Sequence, residues 1–341
     1  MVHLADVSGN GTLTSSEWFK HGWTLQELLA PRTLLFFTRD WSLYRDGSSN
    51  HKEDSTILAE LEQVTGITRR HLIDFHPGIA DARSRLLWAS TRYTTRPEDV
   101  AYSLLGVFGL HIPILYGESA ENALGRLLAE VISKSGDTSL LDWVGQSSAF
   151  HSCFPATIMS YQTLPPEPLP LGPIAPPNIQ SIRKFLLLRS VRKMHQALSN
   201  LPLTQCANIR LFLPCIVHRI NTISLIRVDT SNGAYVHCIQ ATGLEPIKIA
   251  LSHPLESLSR IPVPYVLIRS WHSNLLDASV VTSDASTYRW LARMKQPFNG
   301  LLLKGLPQNE YKRVASFCHI LARPTGSAGV LKGEPNTLTI V

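Results

Sequence analysis

The stretch WFKHGWTLQELLAPRTLLFFTRDW, residues 18–41, decides how the first part of the chain folds. A polar residue suited to an N-cap, Thr14 or Ser15, stands just before it, and Pro31 cannot continue a helix. The pattern therefore predicts one helix that runs from this cap to Pro31. The apolar run LLFFT, residues 34–38, has the length of a strand. A helix followed by a short strand favours a mainly helical α/β domain.

Four more helices are predicted between residues 55 and 135. Ser55 caps the segment TILAELEQVTG, whose apolar side chains share one face and whose Gly66 suits the end of a helix. Two helices follow over ARSRLLWAS and PEDVAYSLLGVFG, and Pro97 fits the first turn of the second. Residues 118–135 have the amphipathic spacing of a longer helix.

The composition changes after residue 135. The segment TLPPEPLPLGPIAPP, residues 163–177, contains seven prolines and predicts a linker or an extended arm, which a short basic helix, IQSIRKFLLLRSVRKMHQAL, follows. From residue 205 onward, apolar runs of strand length predict an antiparallel β domain, with Asn232-Gly233 as a hairpin turn. We therefore predict three parts, residues 1–135, 136–204 and 205–341.

The chain of 341 residues has the composition of a globular protein, with 44% apolar and 17% charged residues. No apolar run reaches the roughly 18 residues that a membrane span needs, and the first residues do not resemble a signal peptide. The five cysteines form no CxxC pair, which favours reduced thiols over a zinc site or disulfides. The net charge of +6 is spread thinly and does not predict a nucleic-acid interface. We expect a cytoplasmic protein with no metal or cofactor.

Residues 6–17, DVSGNGTLTSSE, match the pattern of an EF-hand calcium loop, with Asp6 and Glu17 at its first and last positions. An EF-hand also needs a helix before the loop, and only MVHLA precedes this one. The loop holds just two carboxylates, and no second copy of the pattern occurs. We therefore expect a polar surface loop whose Ser and Thr side chains cap the next helix, rather than a calcium site.

Two blocks of the sequence resemble one known family. The first comprises Trp18, GWTLQELLAP at residues 22–31, and Trp41. The second is TTRPEDVAYSLLGVFGLHIPILYGESAENALGRLLAEV at residues 94–131, with its AYSLLG core and its P-x-L-Y-G-E ending. Both are similar to motifs of fungal heterokaryon incompatibility (HET) domains and occur in the same order. The later segments resemble the C-terminal extension of basidiomycete-type members, for which the resemblance implies no chemistry.

The resemblance implies that the HET domain in this chain is partial. Members of the family have an earlier segment that supplies the first strands and a Cys-Cys-Ile-Asp type motif, whereas LADV, at residues 4–7, corresponds to the middle of the domain. We therefore expect residues 1–135 to be the C-terminal portion of a HET domain, either a fragment or a shortened gene model. HET domains are thought to be distant relatives of TIR domains, so the expected fold of this portion is TIR-like.

The relationship to TIR domains implies a candidate active site. The run WTLQEL resembles the helix motif that carries the catalytic glutamate of TIR-type NAD-cleaving enzymes, which makes Glu27 the candidate. A carboxylate there would stabilise the positive charge that develops on the ribose carbon as nicotinamide leaves. Arg32 and Arg39 are candidate donors to the pyrophosphate, and Trp23 and Trp41 are candidates for stacking on a ring. NAD is thus a candidate substrate and not a resident cofactor.

Structural roles for the same residues stay open. Trp23 and Glu27 share a helix face at i, i+4 spacing, so Trp23 can belong to the core and Glu27 can pair with Arg32 or Arg39. The family motif usually has Arg where this chain has His21, which weakens an anion-binding role at that position.

The second block offers weaker candidates. Glu98 and Asp99, beside Arg96, are typical of acids that the helix dipole favours in a first turn. The run Tyr116–Glu118 predicts a structural corner before a helix.

Three functions fit this sequence. The chain is a self/non-self recognition protein that triggers cell death, with NAD cleavage at Glu27 as its chemistry. Alternatively, it is a non-catalytic module that signals through a protein partner or self-association, or it is an inactive fragment of a HET protein. NAD turnover distinguishes the first function from the second, and the genomic sequence upstream of Met1 distinguishes the first from the third.

Overall fold

The structure, a computed structural model, describes residues 1–45, 47–166, 181–229, 233–255, 265–271 and 283–341. The chain forms two compact units. Unit 1 contains Met1–Val131 and Thr157–Gln162, and unit 2 contains Ile132–Ala156 and Thr163–Val341.

Unit 1 is mainly helical, and a pair of short strands, β1 (Val2–His3) and β2 (Phe36–Phe37), runs in parallel beside the helices. β2 confirms the strand predicted over LLFFT. The α-helices are α1 (Thr24–Leu29), α2 (Ser55–Thr65), α3 (Arg69–Ile73), α4 (Ala82–Ala89), α5 (Asp99–Tyr102), α6 (Leu105–Phe108) and α7 (Ala120–Ser135). Short 3-10 turns lie at Leu13–Ser15, Glu17–Lys20 and Ile158–Tyr161.

The single helix predicted to end at Pro31 is wrong. The chain breaks at Ser16 and His21, which have extended backbone angles with ψ of 128° and 141°. The side-chain oxygen of Ser16 accepts a hydrogen bond from the Trp18 N–H at 3.3 Å. The cap therefore lies later than predicted and serves only the 3-10 turn Glu17–Lys20. Within the single helix that the sequence predicts up to Pro31, only α1 (Thr24–Leu29) is α-helical.

The predicted cap of α2 is also wrong, although the helix itself is confirmed. Asp54, and not Ser55, caps α2, because its carboxylate accepts hydrogen bonds from the N–H groups of Thr56 and Ile57 at 2.8 and 3.1 Å. Gly66 ends the helix with φ of 66°, as predicted.

The helix predicted over PEDVAYSLLGVFG is two short helices, α5 and α6, because the chain turns at Ser103 and Leu104. At this break the Ser103 carbonyl accepts a hydrogen bond from the side chain of Gln26. α4 and α7 confirm the remaining helix predictions, and α3 was not predicted.

A buried lysine closes the C-terminal end of α1. The ammonium group of Lys52 donates hydrogen bonds to the carbonyls of Leu29 at 3.1 Å and Pro31 at 2.7 Å, and its residue is 1% exposed. The last carbonyls of a helix lack partners within the helix, so this cation satisfies groups that would otherwise be buried without a donor. Burial lowers the pKa of Lys52 to about 8.

We expect Lys52 to make stability depend on pH between about 8 and 10.5. Below this window Lys52 is charged in both the folded and the unfolded chain. Within it, the folded chain has lost a proton that the unfolded chain still holds, so the free energy of unfolding rises by up to about 1.4 kcal/mol per pH unit. Denaturant titrations across the window measure this rise, and Lys52→Met should lack it. Equal slopes in both proteins would contradict the assignment.

Among the described residues, unit 2 is built on a nine-stranded sheet. Its strands are β3 (Gln205–Ala207), β4 (Arg210–Asp229), β5 (Ala234–Ala241), β6 (Ile247–Leu251), β7 (Tyr265–Ser270), β8 (Phe298–Gly305), β9 (Glu310–Val314), β10 (Ile320–Ala322) and β11 (Glu334–Ile340). The pairings are antiparallel except that of β9 with β11, as far as the described strands go. The predicted antiparallel β region is therefore confirmed, with one parallel pair added.

Five of the described strands of this sheet pair with one another in a closed circuit. β4 pairs with β7, β7 with β8, β8 with β9, β9 with β11, and β11 again with β4. Residues Cys215–Val217 of β4 accordingly have partners on both sides, from β7 and from β11. A closed circuit leaves fewer free strand edges, which are the usual templates for aggregation.

β4 is one strand of 20 residues where the sequence predicts two, RLFLPCIVHRI and TISLIRVD. Its pairing with β5 shifts in register after Ile220 and again after Leu225. Such bulges bend a strand and increase its twist, which lets β4 pass from the circuit to its pairing with β5.

β4 and β5 pair as a hairpin, with Asp229 opposite Ala234. The Asn232-Gly233 turn predicted between them includes Asn232, which lies outside the described residues. The basic helix is confirmed as α8 (Ser181–Ser199). The predicted proline-rich segment falls mostly outside the described residues, which stop at 166 and resume at 181. The sequence did not predict β3, β9, β10, α9 (Asp284–Met294) or α10 (Gly326–Val330).

Helices α8 and α9 bury an apolar cluster with Ile216 of β4, in which Met194, Trp290 and Met294 take part. Cys215, the neighbour of Ile216, is fully buried, as its apolar strand predicts. Burial raises its pKa, so the thiol stays protonated.

A buried arginine on β9 holds the segment that precedes the predicted proline-rich linker. Arg313 on β9 is 6% exposed and donates hydrogen bonds to the carbonyls of Leu141 at 2.8 Å and Trp143 at 3.0 Å. Its guanidinium carbon lies 3.7 Å from the centre of the Trp143 ring, which adds a cation–π contact. Residues 136–156, placed in the predicted linker region, are therefore a packed part of unit 2.

Two residues of this segment bond to the end of β11 and to Val341, which follows it. The Nε2 atom of His151 donates a hydrogen bond to the Ile340 carbonyl at 3.1 Å, since its Nδ1 atom accepts one from the Cys153 N–H at 3.0 Å. The Ser152 hydroxyl donates to the Val341 carbonyl and accepts from the Arg313 N–H at 3.0 Å. Burial lowers the pKa of His151, so its neutral form persists to lower pH.

No helix in the described ranges is both long and apolar enough to cross a membrane.

Candidate functional site

The two blocks that carry the family resemblance dock on each other in unit 1. The N–H of Gly22 donates to the Tyr93 carbonyl at 2.8 Å, and the N–H of Tyr93 donates to the Lys20 carbonyl at 2.8 Å. These bonds form an isolated parallel bridge between His21 and Tyr93. Segments that lie about 70 residues apart in the sequence thus share backbone hydrogen bonds, and we call this contact the motif junction (residues 20–26 with 92–106).

Glycines at the motif junction allow a close approach. A Cβ atom on Gly22 would lie 2.5 Å from the Thr94 methyl carbon and 3.1 Å from the Ser103 hydroxyl. A Cβ atom on Gly106 would lie 2.2 Å from the side-chain oxygen of Gln26. Both distances are shorter than van der Waals contact. At Gly22 the obstacle is the short Thr94 side chain, which accounts for glycine there, whereas at Gly106 it is the flexible end of Gln26, which can move aside.

A buried arginine joins the two sides of the junction. Arg92 is 7% exposed, and its Nη1 donates to the His21 carbonyl at 2.9 Å and to the Thr24 hydroxyl at 3.0 Å. Its Nε donates to the Trp88 carbonyl at 3.2 Å. Burial lowers the pKa of Arg92 to about 10, so the side chain keeps its charge at neutral pH.

Trp23 and Asp99 meet on the outer side of the junction. The indole N–H of Trp23 donates to Asp99 Oδ2 at 3.1 Å, and Trp23 remains 42% exposed. The other carboxylate oxygen of Asp99 is buried and has no hydrogen-bond partner in the described residues. The core position that the sequence left open for Trp23 is therefore wrong. The predicted first-turn position of Asp99 is confirmed.

The turn that ends the second block is held by charged side chains. The Glu98 carboxylate accepts a hydrogen bond from the Gly117 N–H at 3.0 Å, and backbone N–H donors lower the pKa of Glu98. Glu118 accepts hydrogen bonds from Tyr102 and Arg126. This agrees with the structural corner predicted for Tyr116–Glu118.

Apolar side chains are exposed on that same turn. Ile114, Leu115 and Tyr116 are 52%, 51% and 59% exposed. The Arg96 guanidinium lies 4.6 Å from the centre of the Tyr116 ring. Exposed apolar groups that cluster in this way commonly mark interaction surfaces.

Glu27 lies one helical turn after Trp23, on the exposed side of α1. Within the part of the chain that the structure describes, its carboxylate has no hydrogen-bond or ion-pair partner. The alternative pairing of Glu27 with Arg32 or Arg39 does not occur. Trp23 and Glu27 are thus neighbours on one face, as their spacing predicts.

The remaining predicted residues lie around β1 and the loops after α1. Trp41 is 65% exposed and stacks on His3 with ring centres 4.1 Å apart. Arg39 donates through Nε to the Ala5 carbonyl at 3.2 Å. Arg32 is exposed, and its carbonyl accepts a hydrogen bond from Asn50. The structure brings Arg39 and Trp41 to the same strand end, and none of the contacts described connects them with Glu27.

The EF-hand-like loop uses its carboxylates for protein contacts. Asp6 accepts hydrogen bonds from the Ser16 hydroxyl at 2.9 Å and the Glu17 N–H at 2.6 Å. Glu17 pairs with Lys20 at 2.6 Å and accepts a hydrogen bond from the Tyr93 hydroxyl at 3.1 Å. A strand, β1, precedes the loop instead of a helix. In the residues that the structure describes, no three His, Cys, Asp or Glu side chains form a metal-binding group.

Sequence reasoning missed Arg92 and did not foresee the contacts that Trp23, Asp99 and His21 make with distant residues. Asp99 and Trp23 are 76 positions apart, and Arg92 and His21 are 71 apart. Their local patterns give no sign of these partners. The available signal was a glycine at position 22, in a segment predicted to be helical, where glycine is otherwise unfavourable.

No protein-family model matches the chain, and no solved structure matches it significantly. The vegetative incompatibility protein HET-E-1 of Podospora anserina is 38% identical over 131 residues, which cover 38% of this chain and 9% of that protein. The chain therefore matches less than a tenth of the length of this curated relative. Over those residues, the similarity supports a relationship to heterokaryon incompatibility proteins.

Proposed function

We propose that this chain acts in fungal self/non-self recognition, as a cell-death effector of the basidiomycete HET type with a TIR-like fold. The observation that carries the proposal is the 38% identity to a vegetative incompatibility protein. The motif junction supports it, because there the two blocks that resemble HET motifs lie against each other, with the Gln26 side chain bonded to the Ser103 carbonyl.

In this proposal the chemistry is cleavage of NAD at the nicotinamide–ribose bond, and Glu27 is the catalytic carboxylate. Its exposed carboxylate has no described partner, so it is accessible to a ligand. The exposed indole of Trp23 lies one turn away and offers a flat apolar face for a ring. A carboxylate beside the ribose would stabilise an oxocarbenium-like transition state.

Arg32, Arg39 and Trp41 complete the proposed site as pyrophosphate donors and a second stacking surface. Arg39 and Trp41 lie together at β1 and are both exposed. Because no described contact links them with Glu27, binding one NAD molecule requires the ligand itself to bridge the two groups. NAD is a substrate in this scheme.

We expect the purified chain, at high protein concentration, to consume NAD, and Glu27→Gln to lower the rate at least about 100-fold. The substitution removes the negative charge and keeps the shape of the side chain. Glu53→Gln is the matched control, since Glu53 is an exposed carboxylate of the same unit. Release of nicotinamide is the measurement. Activity that survives in Glu27→Gln would remove Glu27 from the mechanism.

A non-catalytic function, signalling by self-association, is favoured by the exposed side chains of Ile114, Leu115 and Tyr116. The occupant of this surface would be a second copy of the chain. Sedimentation of the NAD-assay samples separates the two functions. Association that depends on concentration, in a protein that leaves NAD intact, would support this second function over catalysis.

A further inference from the structure

One helix of unit 2 carries most of the net charge of the chain. Five of the 32 Lys and Arg residues lie within the 19 residues of α8, and none of the 26 Asp and Glu residues does. α8 thus contributes +5 to a net charge of +6. The positive charge is concentrated on this helix and is not spread thinly, as the sequence analysis expected.

The apolar core holds α8 by one face. Val191, Met194 and Leu198 are buried in the cluster that α8 forms with α9 and β4, and Leu188 is 5% exposed. Residues at spacings of three and four share one face of a helix. This packing therefore determines which side of α8 is turned to the solvent.

The opposite face of α8 combines cations with apolar groups. Four exposed residues follow one another there at spacings of four, four and three, namely Phe185, Arg189, Lys193 and Gln196. Phe185 is 65% exposed, and the neighbouring Leu186 is 53% exposed. With a rise of 1.5 Å per residue, these residues extend over about 16 Å. We call the five residues the α8 stripe.

The two cations of the α8 stripe are available to a ligand. Arg189 and Lys193 make no hydrogen bond or ion pair within the ranges that the structure describes. Arg192, at the border of the stripe, differs from them, because it donates to Asp284 of α9 at 2.7 Å. Like charges four residues apart on a helix repel each other. An anion that contacts both Arg189 and Lys193 would relieve that repulsion.

A groove of about 810 Å³ lies on the same face, and its described lining consists of six residues of α8 together with Asp284. This lining includes Phe185 and Leu188 as well as the cations Arg189 and Lys193. Guanidinium and ammonium groups are suited to phosphate oxygens, and the apolar side chains are suited to hydrocarbon. At the surface of a phospholipid bilayer, phosphates lie directly beside acyl chains, so one surface offers both kinds of group.

We propose that the α8 stripe binds an anionic phospholipid membrane. Arg189 and Lys193 contact lipid phosphates, and Phe185 and Leu186 insert at the boundary between headgroups and acyl chains. A membrane is favoured over a nucleic acid, because the exposed apolar groups include the aliphatic Leu186, which has no flat ring on which a base could stack. The proposal does not depend on the function proposed for unit 1, because α8 belongs to unit 2.

Sedimentation of the full chain with lipid vesicles tests the proposal. One set of vesicles contains equal amounts of phosphatidylcholine and phosphatidylserine, and the other contains phosphatidylcholine alone. The chain should bind the first set and not the second. Sodium chloride should weaken the binding, because salt screens charges at a surface.

Variants of the α8 stripe separate the contributions of charge and apolar groups. The double variant Arg189→Gln/Lys193→Gln should bind about 25-fold more weakly, since each cation near an anionic surface contributes about fivefold. Phe185→Ser should bind at least about 10-fold more weakly, because it removes the inserted ring. The matched control is Lys248→Gln/Arg323→Gln, which removes two exposed cations elsewhere in unit 2 and should bind as the wild-type chain does.

Thermal melting checks that every variant is folded, which is expected because all the substituted side chains are exposed. The absence of binding to the anionic vesicles would overturn the proposal. An equal loss in the control double variant would overturn it too, because only the general attraction of a basic protein would then remain. Unchanged binding of Phe185→Ser would overturn the insertion of the apolar groups. A DNA duplex is titrated in parallel, and binding to the duplex without binding to vesicles would assign the stripe to nucleic acid instead.

Discussion

Replacement of Arg313 by methionine should lower the free energy of unfolding of unit 2 by about 3–5 kcal/mol. Methionine keeps the apolar length of the side chain and removes every side-chain N–H donor. The Trp143 carbonyl then loses the hydrogen bond that it accepts at 3.0 Å, and the Leu141 carbonyl loses one of 2.8 Å. The cation–π contact with the Trp143 ring is lost as well. Buried acceptors without donors carry the full cost of their desolvation.

Urea titration measures this loss, with Arg323→Met as the matched control. Arg323 is exposed, so its replacement should change the free energy of unfolding by no more than about 0.5 kcal/mol. Hydrogen exchange should also show residues 136–156 opening in Arg313→Met. If both variants lose the same stability, the buried hydrogen bonds of Arg313 do not hold this segment.

Replacement of Arg92 by alanine should open the motif junction at a cost of about 3 kcal/mol. The change removes three hydrogen bonds from a buried cation, to Trp88, His21 and Thr24, and leaves the space of its side chain empty. Part of this loss is offset, because the alanine variant no longer buries a charge whose pKa burial has lowered to about 10.

Hydrogen exchange of residues 20–26 and 92–106 reports the opening directly. Arg92→Lys should give an intermediate effect, since lysine keeps the charge but cannot contact acceptors on two sides at once. Arg70→Ala is the control, at an exposed position of α3. Unchanged exchange at the junction in Arg92→Ala would show that the buried hydrogen bonds of Arg92 do not hold the junction together.

Elements with a strong local period were predictable from the sequence. α2, α7 and α8 carry apolar residues on one face over at least three turns, and the strands of unit 2 are apolar runs of strand length. Predictions from local sequence patterns were wrong where contacts with distant residues determine the backbone conformation. The break at His21 follows from its bridge to Tyr93, and the break at Ser103 coincides with a hydrogen bond from Gln26.

The candidate site was predictable only in part for the same reason. The i, i+4 spacing of Trp23 and Glu27 places them on one face of a helix, and the structure has them there. Arg39 and Trp41 follow a strand, so their positions depend on the pairing of β2 with β1. The contact of Trp23 with Asp99 joins residues 76 positions apart, and no periodic pattern encodes it.

The position of β11 in the closed circuit has a consequence for synthesis of the protein on the ribosome. β11 pairs with β4, which is made more than 100 residues earlier, and the residues at its end bond to His151 and Ser152, 189 positions before them. Contacts between residues so far apart in the sequence slow folding, because the chain must close a long loop before each contact can form. Until β11 has been synthesised, the edge of β4 that pairs with it has no partner strand. Nascent chains of this protein should therefore depend on chaperones until β11 has emerged.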